Sequence, residues 1–330
     1  MIGICQFGAG RIGQIHAANV AAHGEAELRT IVDVNADAAN AIAGRYGAKI
    51  ADAGQALDDE AIDAVIIASS TDTHADIVKA AAKAGKAIFC EKPIDLELAR
   101  VDDCLAEVEA AGVMMQIGFN RRFDPSFAAL HGQLRDGRIG AVELVAITSR
   151  DPAPPPIEYI KVSGGLFRDM MIHDFDMARW LMNEDPVEVF AAASCLVDDA
   201  IGAAGDVDTA AVVLSFASGA LCQISNSRRA VYGYDQRIEV FGAKGMLRAH
   251  NLTPTSVELS TIEGIVTDKP LNFFLERYAE SYKAELDHFI ACVKGSATPL
   301  TGPADGRMAL VLAEAARTSL ANGGPVPIPS

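Results

Sequence analysis

The chain has 330 residues, half of them hydrophobic, without a low-complexity run, which fits a globular protein with room for two domains and two cores. A formal net charge of −16 argues against nucleic acid or an anionic membrane as partner, because both require a basic surface. No uncharged apolar run reaches the roughly 18 residues a membrane span needs, so none is expected.

The chain opens directly as a strand, "MIGICQFG", with no basic leader or cleavage site, which points to a cytoplasmic protein. Up to residue 120, strand-like and helix-like segments alternate: "IGICQF", a helix over 11–23, "ELRTIVDV", a helix over 36–46, "DAVIIAS", "ADIVKAAAKAG", "KAIFCE", "LELARVDDCLAEVEAAG" and "VMMQIGF". Continuous apolar strands separated by helices mean a parallel sheet covered on both faces, so residues 1–120 read as a Rossmann-type nucleotide domain. Beyond it come a helix in "PSFAALHGQLRDG", the strand "VELVAITSR", a Pro-rich loop and an unusual polar helix. From Pro186 to about Val266, strand follows strand without crossover helices, which predicts a large, mainly antiparallel open sheet. Two helices, over 276–294 and 303–321, close an α+β domain spanning 121–330, and the last of them is a candidate to pack back on the first domain. The other face of the antiparallel sheet is expected to carry Val212, Leu214, Leu221 and Ile224, too apolar for a wetted surface.

"GAGRIG" supplies Gly8, Gly10 and Gly13 in G-x-G-x-x-G spacing, between an apolar strand and a helix that begins at Arg11 and Ile12. Gly8 permits a tight turn, Gly10 lets backbone approach a pyrophosphate, and Gly13 allows close helix–strand packing; the helix N-terminus favours an anion. Asp33, twenty residues after Gly13, stands where an acid accepts hydrogen bonds from an adenosine ribose. A carboxylate there repels a 2′-phosphate, and "VNAD" around it offers no Arg or Lys, so NAD is expected rather than NADP. Glu91, Lys92 and Pro93 ("EKP") follow the end of a parallel strand, where ligands of open α/β sheets bind. In "GGLFRDMMIHDFDMARW", at about 100° per residue, Asp169, His173, Asp176 and Trp180 fall on one row and Met171, Phe175, Ala178 and Met182 on the opposite one. The six cysteines, Cys5, Cys90, Cys104, Cys195, Cys222 and Cys292, show no CxxC spacing and read as structural thiols in a reducing compartment.

"GAGRIG", Asp33, "SSTDTHADIVKAAAKAGKAIFCEKP" and the D-x-x-x-H pair Asp169/His173 together resemble the Gfo/Idh/MocA oxidoreductases. Longer blocks, "GFNRRFDPSF", "SRDPAPPPIEYIKVSGGLFRDMMIHDFDMARWL", "ISNSRRAVYGYDQRIEVFGAKGM" and "FFLERYAESYKAELDHF", are similar to its inositol-oxidising branch. The resemblance implies that Lys92 lies near nicotinamide and substrate, with a cis peptide before Pro93. It makes Asp169 and His173, with Lys92, the catalytic group. It implies that Asn120, Arg121, Asp176, Tyr234 and Tyr282 line the substrate pocket. Ser69, Thr71, His74 and Glu91 join the glycine loop at the cofactor. Where the family more often reads T-P-N, this chain has Thr71-Asp72-Thr73, which removes an Asn contact.

The reaction implied is NAD-dependent oxidation of a small neutral polyol, myo-inositol to 2-keto-myo-inositol, with scyllo-inositol, chiro-inositol or a pyranose such as glucose as other substrates of the same chemistry. A histidine with an unperturbed pKa of about 6.5 suits the hydroxyl proton, so His173 is the candidate base. Asp169 either fixes the tautomer of His173 or holds a hydroxyl, and Lys92 stabilises the developing alkoxide. Asp176 either holds a substrate hydroxyl or braces its helix. Arg121 and Arg122 are either an exposed basic pair or face a substrate. The polar row would then be one wall of a cleft between the two domains. Asp169, His173 and Asp176 also have spacing suited to a divalent ion, but a fourth ligand is missing and no metal is expected. NAD-dependent glycosidases of the same family and a non-enzymatic NAD-binding protein are the remaining readings. Pairing of the antiparallel sheet, common in the family, implies a homotetramer.

Overall fold

A computed structural model describes residues 1–328. The described chain forms two compact units: Met1–Phe123 with Ser281–Leu310, and Asp124–Glu280 with residues 311–328.

The first unit is built on six parallel strands, β1 (Ile2–Phe7), β2 (Ala26–Val32), β3 (Lys49–Ile50), β4 (Ala64–Ile67), β5 (Ala87–Cys90) and β6 (Met115–Ile117), in the order β3-β2-β1-β4-β5-β6. The chain fills one side of β1 and then crosses to the other. The topological switch therefore lies at the C-terminal ends of β1 and β4, where open sheets of this kind bind ligands. Local chemistry sets the helix limits. Helix Ala36–Tyr46 starts at Asn35, whose side chain accepts the Ala38 N–H, and stops at Gly47 in the left-handed region. Ile4, Val20, Ile31, Ile42, Ile66 and Phe89 form its core with Leu286, Phe289 and Ile290 of helix Ala279–Val293. A segment that follows the second sheet in sequence thus folds with the first.

The second unit holds β7 (Val142–Arg150), β8 (Pro186–Ser194), β9 (Thr209–Phe216), β10 (Leu221–Ser227), β11 (Asp235–Gly242) and β12 (Gly245–Ala249), with a short hairpin of β13 (Glu258–Thr261) and β14 (Gly264–Thr267) and a final β15 (Val326–Pro327). The large sheet runs β12-β11-β7-β10-β9-β8-β15 and is antiparallel except for one parallel pair, β7 and β10. The helices between β7 and β8 supply the long connection a parallel pair needs. "SVELST" contributes to the separate β13–β14 hairpin and not to that sheet. Among the described residues no helix is long and apolar enough to cross a membrane.

Two expectations need correction. Val212, Leu214 and Ile224 are fully buried, and only Leu221, 43% exposed, lies on the outer face. Strand side chains alternate, and Ile224 pairs with Val212 while Leu221 pairs with Ser215, so odd and even positions of β10 face opposite ways. The outer face is apolar nonetheless, through Leu144, Phe190, Val213, Leu221, Phe241 and Met246. Nor is the polar helix continuous. It divides into Gly165–Asp169 and Ile172–Met182. The N–H groups of Met170 and Met171 both donate to Leu166 O, at 3.1 and 2.9 Å, and Met171 O then starts the second helix by accepting from Asp174 and Phe175. Asp169 and His173 therefore belong to consecutive helices. His173, Asp176 and Trp180 keep a common row on the second helix, where Trp180 stacks on His131 with ring centroids 3.9 Å apart.

Candidate functional site

The three glycines do three different jobs. Gly8 has φ +100°, and a Cβ there would lie 2.4 Å from Ala68 O, so the turn after β1 closes against the turn after β4. A Cβ on Gly13 would lie 2.2 Å from Gly8 O, which fixes how tightly helix Arg11–Ala22 packs on its own loop. A Cβ on Gly10 would meet no atom within 4 Å. Only Gly10 borders open space, which is the opening a pyrophosphate needs beside a helix N-terminus. Gly10 is also the N-cap of that helix and supplies no capping side chain. Arg11 is exposed and Ile12 half-buried in its first turn. Buried Gln6 donates to Gly8 O and Gly13 O, both at 2.8 Å, and holds the loop from beneath. Asp33 reaches the loop: its Oδ2 accepts from Ala9 N at 2.5 Å and its Oδ1 from Asn35 N at 2.6 Å. These features fit a dinucleotide, with Gly8, Gly10, Gly13 and the first helical turn around the pyrophosphate and Asp33 toward a ribose.

Ser69 and Thr71 stand half-buried at the turn after β4, next to Gly8, and Ser69 Oγ meets Thr73 Oγ1 at 2.7 Å. His74 is 2% exposed, and its ring nitrogens face Pro93 O at 2.9 Å and Ser69 O at 3.1 Å. It serves as a strut between the turns after β4 and β5 and has no ring nitrogen left to turn toward a cofactor. Lys92 is half-buried and its peptide bond to Pro93 is cis. Glu91 is likewise turned inward: Oε1 lies 2.8 Å from His16 Nε2, and Gly118 packs so closely that a Cβ would come within 2.9 Å of Oε2. The Tyr282 ring meets His16 edge-on at 5.9 Å, so Tyr282 and the "EKP" turn converge on one histidine. Glu285 is fully buried beside them with no hydrogen bond to either carboxyl oxygen. Burial, reinforced by the charge of Glu91, pushes its pKa well above the usual carboxyl range. Asn120 and Arg121 are buried in the short turn Asn120–Phe123, and Asn120 Nδ2 has no hydrogen-bond partner. Arg121 and Arg122 are no exposed pair. Arg122 donates to Leu300 O at 2.9 Å and Asp305 at 2.8 Å, tying the turn after β6 to the first turn of helix Pro303–Asn322 and the segment before it.

In the second unit, Asp169 ends its short helix with Oδ1 accepting from Tyr159 Oη at 2.9 Å and Oδ2 lying 3.8 Å from an Arg228 nitrogen. His173 is half-buried in the first turn of the next helix, and Asp176 is 1% exposed. Between them, fully buried Asp174 accepts from Ser149 Oγ at 2.5 Å and Asn226 Nδ2 at 2.8 Å, anchoring the helix to β7 and β10. Tyr234 is buried, edge-on to Tyr278 at 6.0 Å. Among the described residues no group of three or more His, Cys, Asp or Glu side chains is placed to hold a metal ion. Sequence reasoning passed over His16, Glu285 and Arg228. For His16 and Glu285 the available signal was a polar residue at a helix phase occupied by buried neighbours; Arg228, just past the end of β10 among polar residues, offered none.

Comparison with known proteins agrees with both units. Residues 2–119 match a family model described as "Oxidoreductase family, NAD-binding Rossmann fold", and residues 127–248 match the "GFO/IDH/MocA C-terminal domain". The chain is 52% identical over 317 residues to an inositol 2-dehydrogenase of Rhizobium meliloti, covering 96% of each chain. It is 52% identical over 316 residues to a myo-inositol 2-dehydrogenase of Thermotoga maritima, covering 95% of each. A crystal structure of a myo-inositol dehydrogenase from Corynebacterium glutamicum superposes with a TM-score of 0.96 at 42% identity, covering 100% of this chain and 99% of that one. With a glycine loop shaped for a dinucleotide and family models matched across both units, the chain belongs to the GFO/IDH/MocA family of NAD-dependent oxidoreductases.

Proposed function

We propose that the protein oxidises myo-inositol to 2-keto-myo-inositol with NAD. The near-full-length likeness to two inositol 2-dehydrogenases carries this reading, and the open space at Gly10 supports the cofactor independently. Bound NAD supplies the hydride acceptor. The chain must hold the polyol, take the hydroxyl proton and steady the charge left on oxygen. His173 takes the proton, its imidazole suited to transfer near neutral pH. Asp169 orients His173 or a neighbouring hydroxyl, and the Lys92 ammonium steadies the alkoxide as it forms. Asn120, with a buried amide nitrogen lacking a partner, suits a polyol hydroxyl. Arg121, Asp176, Tyr234 and Tyr282 complete the proposed pocket. Asp33 favours NAD over NADP, because a 2′-phosphate would meet its carboxylate. In this reading the second unit, residues 124–280 with 311–328, serves substrate binding and oligomerisation. Leu144, Phe190, Leu221, Phe241 and Met246, exposed on one sheet face, pair copies of the chain into a cytoplasmic homotetramer.

The test is NADH formation, followed by absorbance, with myo-inositol, scyllo-inositol, chiro-inositol and glucose. Turnover is expected to be fastest with myo-inositol. No NADH with any of the four overturns the reading, and a faster alternative reassigns the substrate. Light scattering checks the assembly, and a monomer overturns the tetramer.

A further inference from the structure

Arg228 follows β10 and is 1% exposed, one of the largest fully buried side chains in the protein. Its guanidinium lies between two carboxylates. One nitrogen is 3.8 Å from Asp169 Oδ2, and another is 3.5 Å from Asp206 Oδ2. Neither Nε nor the Nη2 facing Asp206 has a hydrogen-bond partner, and both contacts are ion pairs rather than hydrogen bonds. A buried cation is retained only where opposite charge compensates for lost water, and here both compensating groups grip the same five-residue helix. At its start, Asp206 accepts from Leu166 N at 3.0 and 3.1 Å. It also fills the space a Cβ on Gly165 would need, 2.5 Å from Oδ1. At its end stands Asp169, with Tyr159 on the other carboxyl oxygen. The Arg228 backbone is fixed too, its N–H donating to Asp208 O at 2.8 Å.

We infer that Arg228 is the positioning residue for Asp169: shared between Asp206 and Asp169, it fixes the Asp169 carboxylate at the break between the two helices, just before His173. Being 1% exposed, it acts through Asp169. The inference rests on the proposed polyol oxidation. It differs from a purely structural role in one respect: its effect on turnover must disappear when Asp169 can no longer respond.

A double-mutant cycle decides this. Arg228→Gln, Asp169→Asn and the double variant are compared for kcat on whichever cyclic polyol the unmodified enzyme turns over, with the Kd for NAD measured alongside. Arg228→Gln is expected to lower kcat at least about tenfold with the NAD Kd within about twofold of the parent, and to change kcat less than about twofold beside Asp169→Asn. Equal losses in both backgrounds, or an unchanged kcat, overturn the inference. Coupling to Asp206→Asn alone overturns it as well, leaving Arg228 a brace for the Gly165 turn. If Arg228→Gln does not fold, Arg228→Lys, which keeps the charge and loses the planar fork, goes through the same cycle under the same criteria. Failure of the polyol reading appears separately, as no turnover by the unmodified enzyme.

Discussion

Gly10 and Gly13 sit three residues apart in one motif, yet the structure predicts opposite consequences for adding a methyl group to each. At Gly13 the new Cβ would lie 2.2 Å from the backbone oxygen of Gly8, which no side-chain rotation relieves. Overpacking of this kind costs roughly 1–3 kcal/mol, more than the roughly 1 kcal/mol that helix propensity returns for Gly→Ala. At about 2–4 °C per kcal/mol for a unit of this size, Gly13→Ala should melt several degrees below the parent without ligand. At Gly10, φ −70° and ψ −166° suit any L-residue, and the Cβ meets nothing within 4 Å. Ala is a poorer N-cap than Gly by roughly 0.5–1 kcal/mol, but a less flexible unfolded chain offsets about 0.4–1 kcal/mol. Stability without ligand should therefore stay within about 1 kcal/mol of the parent. The methyl would instead occupy the space a pyrophosphate needs, and at least a tenfold rise in Kd, about 1.4 kcal/mol, is expected. Thermal unfolding without NAD and calorimetric titration with NAD measure the two effects separately. An unchanged NAD Kd for Gly10→Ala, or a melting loss as large as that of Gly13→Ala, would refute the assignment of Gly10 to the cofactor.

Asp33→Ser should weaken NAD binding and narrow its preference over NADP; it should also cost about 1 kcal/mol of stability through the lost backbone contacts to Ala9 and Asn35. Titration with both cofactors checks it, and unchanged affinities would remove Asp33 from recognition. His173→Ala should lower turnover at least about 100-fold while leaving NAD binding intact, and Lys92→Ala should also lose turnover; full activity in either variant removes that residue from the mechanism. Glu285 makes a prediction about pH. Burial, with the charge of Glu91, raises its pKa in the fold, so the folded state holds a proton that the unfolded chain releases. That contribution is complete below the unfolded carboxyl pKa and is lost as pH rises through the raised folded value. Denaturation of Glu285→Gln against the parent should accordingly show a gap that shifts in the variant's favour between mildly acidic and alkaline pH, and a constant gap would show that Glu285 is not held neutral.

The sequence made legible what local rules decide. Apolar runs such as "AVII" and "AIFC" cannot sit at a sheet's wet face, so the parallel sheet follows from them directly. Gly8 and Gly13 answer to a neighbour within a few residues or one strand away, and Gly10 to the open space beside them, which is why their separate jobs could be assigned from spacing. The outer face of the second sheet was harder. Val212 and Leu214 are as apolar as Val213, and only the register of β9 against β10 decides which side each faces. The break between Asp169 and Ile172 was hidden for a related reason. Met170 and Met171 are ordinary helix formers, and the break shows only in the shared use of Leu166 O, whose own residue is held by Asp206, forty residues away.

The least legible parts are the two buried polar groups, and both break the same rule in the same way. Glu285 shares a helix face with Ser281, Phe289 and Cys292, all buried. An acid at that phase has no water to stabilise its charge, so it must be paired or stay neutral. Its nearest charged influence, Glu91, is already engaged by His16, so the neutral form is favoured. Arg228 cannot shed its charge and so requires carboxylates, which Asp169 and Asp206 provide. One group is pushed toward its neutral form and the other gathers partners, Glu285 within reach of the charge of Glu91 in "EKP" and Arg228 beside Asp169. Neither position exposes the side chain or packs it as an apolar residue would, so solubility and core packing leave both unexplained. For Arg228, the inferred role of holding the Asp169 carboxylate in place accounts for the burial.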